Sequence, residues 1–84
     1  MLVKMKTPTF IDKLTFEVDQ PQKCLLRAVL QDDQGSVCSA LETEADKNQL
    51  IFTWLGLNDL PYGVYTLVVS RGGDETKMRL VKRI

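Results

Sequence analysis

Apolar residues recur at every second position between turn-forming clusters along this chain, and no window of about a dozen residues carries the 3.6-residue apolar stripe of a helix. That pattern leaves an all-β fold. Residues 13–18 alternate Leu14, Phe16 and Val18, then stop at Asp19-Gln20-Pro21, where proline removes a ladder donor. Residues 24–31, 36–44 and 50–55 give three further strands, and residues 6–11 a short edge strand at the start. Asn58-Asp59-Leu60-Pro61-Tyr62-Gly63 then gathers turn formers: Pro61 presets its φ and Gly63 tolerates positive φ. Tyr65, Leu67 and Val69 follow in phase. Gly72-Gly73-Asp74-Glu75 returns the chain, and an even loop sets Val69 opposite Met78 and Leu67 opposite Leu80.

Six to seven short strands at this spacing predict an antiparallel immunoglobulin-like β-sandwich. Its expected core comprises the rows Leu14/Phe16/Val18, Leu26/Ala28/Leu30, Val37/Leu41, Leu50/Phe52/Trp54, Tyr65/Leu67/Val69 and Met78/Leu80, with Leu60 beside them. The 84 residues suffice for one domain and one core. With 44% apolar and 26% charged residues, the composition is that of a folding chain rather than a disordered one. Nothing approaches the ~18–20 apolar residues of a membrane helix, and Lys4 and Lys6 interrupt the apolar start that a signal peptide needs. The expectation is a cytoplasmic protein or the tail of a longer exported one.

Asp32-Asp33-Gln34-Gly35 reads as a hairpin turn, with Gly35 at its left-handed position and Leu30 paired with Val37. In that register Cys24 faces Thr43, and Cys38 faces Val29 on the other side of the sheet. A one-residue slip still separates the cysteines by ~14–20 Å, against the ~7 Å Cα limit of a disulfide. Two reduced cysteines are expected.

Chemistry finds little material here. There is no histidine and no CxxC, so neither a zinc cluster nor a histidine-activated serine or cysteine can be assembled, and no enzyme is expected. Asp32 and Asp33 lack the alternating oxygen ligands of a calcium loop, and a turn explains them. Gly72-Gly73 precedes a strand, whereas phosphate loops precede a helix. Trp54 and Tyr65 could form a stacking platform, but their phase with Phe52 and Leu67 makes them core, whereas Tyr62, in the turn, is exposed.

Charge is balanced in total, at 11 bases and 11 acids, which gives no net field toward nucleic acid. Its distribution is uneven. Residues 31–46 hold five acids and no base, whereas residues 71–84 hold five bases and two acids. One reading is a solvated terminal strand whose lysines discourage edge pairing; the other is that the strand itself is a recognition element.

Three segments together resemble the C-terminal sorting domain of Bacteroidetes proteins exported by the type IX secretion system. Residues 7–16 (Thr-Pro-Thr-Phe-Ile-Asp-Lys-Leu-Thr-Phe) are similar to that family's proline-containing lead-in and first strand, although its usual Pro-Asn-Pro is reduced to Thr7-Pro8-Thr9. Residues 30–35 resemble its Asp-x-x-Gly hairpin. Residues 60–67 resemble its Leu-Pro-x-Gly-x-Tyr signature, and residues 77–84 its basic-apolar terminal strand. The resemblance implies a non-catalytic, cofactor-free domain that carries an attached cargo to the outer-membrane secretion machinery and is then removed or exchanged at a surface transpeptidase. It implies partner contacts through Lys77, Arg79, Lys82 and Arg83, with main-chain pairing as the affinity source. Asp32, Gly35, Pro61, Gly63 and Tyr65 would hold the fold. No nucleic acid or small-molecule substrate enters this reading. The alternative is a standalone module in which Tyr62 and the acidic segment meet a protein or glycan. An open sandwich also leaves edges for a homodimer, with no residue that demands one.

Overall fold

The computed structural model describes residues 2–5, 7–19, 24–45 and 51–83. The alternation becomes eight strands: β1 (Leu2–Lys4), β2 (Thr9–Phe10), β3 (Leu14–Asp19), β4 (Cys24–Gln31), β5 (Val37–Ala45), β6 (Ile51–Trp54), β7 (Gly63–Arg71) and β8 (Asp74–Lys82). They form a β-sandwich of two sheets, ordered β1-β3-β6 and β2-β8-β7-β4-β5. The chain changes sheet at β1 to β2, β2 to β3, β3 to β4, β5 to β6 and β6 to β7, staying within one sheet only for the β4–β5 and β7–β8 hairpins.

The start of the chain differs from the single edge strand expected over residues 6–11. It splits, so that β1 pairs antiparallel with β3 while β2 crosses to the other sheet and pairs parallel with β8, the one parallel ladder among the described residues. Pro8 marks the crossing. It has no N–H to give, but its carbonyl accepts the Val81 N–H at 2.8 Å.

Both hairpins shift register by two residues, and the second keeps its expected faces. The β4–β5 turn closes through Asp32 N–H to Ser36 O (2.9 Å) and Gly35 N–H to Asp32 O (3.1 Å), while Asp32 Oδ1 accepts the amides of Gln34 and Ser36, each at 2.9 Å. Leu30 then pairs with Ser39 and Gln31 with Val37, leaving Cys38 as the extra residue of a β-bulge. Val37 thus joins the outward row of Gln31 and is 61% exposed, contrary to its expected place in the core. In the second hairpin Gly72-Gly73 alone spans the loop, so Leu67 meets Met78 and Tyr65 meets Leu80. Cys24 pairs with Ala45, seven positions along β5 from Cys38, or roughly 23 Å at ~3.3 Å per residue. That backbone separation exceeds the ~7 Å Cα limit of a disulfide.

Inward rows from both sheets make the core: Val3, Leu14, Phe16, Val18 and Trp54 on one side, Phe10, Leu26, Ala28, Leu30, Tyr65, Leu67, Val69 and Leu80 on the other. Each such Leu, Val or Phe contributes about 1.5–3 kcal/mol by leaving water. Leu41, Phe52, Leu60 and Met78 are half-buried against it, and Leu50 lies outside the described residues. Val3, Phe10 and Leu57 complete it without having been expected. Leu57 is brought inward by a loop whose amide bonds the Asp12 carbonyl at 3.1 Å.

Candidate functional site: the open edge of the last strand

The turn Leu57–Leu60 (Leu60 N–H to Leu57 O, 3.2 Å) delivers Pro61, Tyr62 and Gly63 to the head of β7. Gly63 stands at φ 150° and Gly35 at φ 83°, where a Cβ would strain the backbone, although no neighbouring atom crowds either position. Two residues after Gly63, Tyr65 is buried and its hydroxyl donates back to the Pro61 carbonyl at 2.6 Å. This is the tyrosine corner of such sandwiches. Burial raises the Tyr65 pKa above the ordinary tyrosine value, with smaller contributions from the nearby Cys38, Asp32 and Asp33. The ring against Tyr65 is Phe10, edge-on at 5.9 Å, brought there by β2 lying along β8. Both Trp54 and Tyr65 are buried, so neither offers a stacking platform.

Tyr65 anchors β7, and β7 pairs with β8 along its whole length. On the other side of β8, β2 covers only Val81 and Lys82. Residues 75–80 have no ladder partner on that side among the described residues. The amides of Val81 and Arg83 point outward there, each to a carbonyl at 2.8 Å, from Pro8 and Phe10. Because main-chain groups alternate along a strand, Glu75, Lys77 and Arg79 present their N–H and C=O groups on the same open side.

Lys77, Arg79 and Arg83 are exposed. Lys77 lies 3.5 Å from Glu75, a solvated pair of little energetic weight, and Arg71 pairs with Asp74 at 3.6 Å. Lys82 departs from the expected contact set. It follows Met78 and Leu80 on the inward face opposite Gly63, is 4% exposed, and turns its ammonium to the Arg83 carbonyl at 3.0 Å. Its stem lies along the apolar inward row while the charged head reaches a carbonyl at the sandwich end.

A second constellation sits at the same end of the sandwich. Asp32, Asp33, Cys38, Pro61 and Tyr62 line an open pocket of about 270 Å³, with Tyr62 71% exposed. The sequence separates the acids from Tyr62 by about thirty positions, and only the β4–β7 ladder, which sets Gln31 beside Thr66, brings them together. Among the described residues no cluster of three or more His, Cys, Asp or Glu could hold a metal ion. No protein-family model matches this chain, and no curated protein matches it significantly.

Proposed function

We propose that this chain is a non-catalytic recognition domain whose last strand is the element a partner protein reads. In its finer form, resting on the resemblance of residues 7–16, 30–35, 60–67 and 77–84, it is a C-terminal sorting domain that directs an attached cargo through the type IX secretion system to the cell surface. The observation that carries the reading is the open edge of β8. A strand whose residues 75–80 have no ladder partner on one side among the described residues, with Lys77 and Arg79 exposed, is a template for strand addition, which draws affinity from the backbone and selectivity from side chains. The absence of histidine from the sequence leaves serine and cysteine without their commonest base, in keeping with a binding role.

The test is delivery of an exported reporter carrying residues 1–84 in a bacterium with the secretion system. Lys77→Glu combined with Arg79→Glu touches no core residue, and surface reporter should fall to the level seen without the domain. Undiminished delivery would remove β8 from the mechanism. A second reading, a freestanding interaction module, draws on the pocket that joins Tyr62 to Asp32 and Asp33. In that case the reporter stays inside whatever β8 carries, and Tyr62→Ala weakens capture of the partner instead.

A further inference from the structure

We propose that the open edge of β8 takes an extended peptide with carboxylates at alternate positions and apolar residues between them. This rests on the reading of β8 as the recognised strand and adds the chemistry of what it recognises. The window is bounded: the Gly72-Gly73 turn closes one end and β2 the other, leaving residues 75–80, roughly 20 Å of strand.

Within the window Glu75, Lys77 and Arg79 offer their main-chain groups to an incoming strand and project their side chains to the outer face. Side chains directly opposite each other on paired strands lie with Cβ atoms ~4.5–5.5 Å apart, so two residues spaced i, i+2 on the guest meet Lys77 and Arg79. Acidic residues fit there. Arg79 has no ion pair among the described residues, and the exposed Lys77–Glu75 pair opens at little cost. On the inner face the window shows Thr76 and Met78, both half-buried, with Met78 packed on the core. An apolar, β-branched guest residue extends that packing.

The chain's own β5 carries Glu42-Thr43-Glu44 at this spacing, yet a second copy does not fit. In the antiparallel arrangement that sets Glu42 against Arg79 and Glu44 against Lys77, Ala40 and Ser39 would occupy the place of β2 beside Val81 and Lys82. In the parallel one the glutamates fall on the opposite face. The guest is therefore a separate strand.

The probe is a fluorescent peptide of about seven alternating glutamate and valine residues, compared with its lysine–valine counterpart by anisotropy. The glutamate peptide should bind roughly tenfold tighter at low ionic strength, and the difference should shrink at about 0.5 M salt. Amide shifts should concentrate on Glu75, Lys77 and Arg79. Lys77→Glu with Arg79→Glu should reverse the preference, and Lys77→Gln with Arg79→Gln should abolish it, each with an unchanged melting temperature. Equal binding of the two peptides, no binding, a preference that survives reversal, or self-association in place of peptide binding would overturn the proposal. A wild-type domain that delivers its reporter yet shows no acidic preference keeps the sorting reading and loses this one.

Discussion

Tyr65 concentrates the local logic of the fold in one side chain. Its ring fills the core against Phe10 and its hydroxyl ties β7 to Pro61, so loss of the oxygen leaves the carbonyl to find water. Tyr65→Phe should destabilise the domain by about 1–2 kcal/mol, read as a lower urea midpoint with an unchanged slope. The pH dependence has a definite sign. Burial raises the folded pKa above the unfolded value of 10.0, so the native state holds the phenolic proton more tightly. The associated stability is complete below pH 10 and is lost as pH rises through the folded pKa. In Tyr65→Phe that alkaline loss should flatten. The burial of Tyr65 was legible from its phase with Leu67 and Val69, whereas that of Lys82 was not. A lysine's charge argues for solvent, but its place in the inward row after Met78 and Leu80 brings it inside.

Among the elements, β5 shows how one residue redistributes a face. The bulge at Cys38 turns Val37 outward while Leu30 stays fully buried. Leu30→Ala should therefore cost about 2–5 kcal/mol and Val37→Ala within about 0.5 kcal/mol of nothing, measured by denaturant titration. A core containing Val37 would make the two comparable. The existence of β3 to β8 was readable because period-two alternation is local, whereas the three-residue β1 was not expected. Register was not readable, because Asp32's two amide bonds and the two-residue Gly72-Gly73 loop fix it by geometry that composition does not encode. In the Gly72-Gly73 hairpin the even loop kept the faces through a two-residue error, whereas the five-residue loop after Gln31 is odd and only the bulge at Cys38 returns Leu41 to its expected face. At the start, β2 falls within the edge strand expected over residues 6–11, but its parallel pairing was not legible: two residues have no pattern of their own, and the strand is held because β8 offers it the amides of Val81 and Arg83.

At the scale of the whole molecule, the five-stranded sheet ends in two unlike margins. β5, with Glu42 and Glu44, forms one edge; the other is β8, basic and only partly covered by β2. Zero net charge thus conceals a lateral asymmetry, which the sequence already showed as an acidic middle and a basic end. What the sequence could not show is that β8 is flanked on one side along its full length and on the other at its end alone. The proposed recognition depends on that gap, and amide hydrogen exchange along β8 examines it residue by residue. The account predicts a sawtooth: Thr76, Met78 and Leu80 protected by β7, Val81 and Arg83 by Pro8 and Phe10, and Glu75, Lys77 and Arg79 exchanging freely. Protection of Lys77 and Arg79 equal to that of Val81 would contradict it, since the edge would then already be paired.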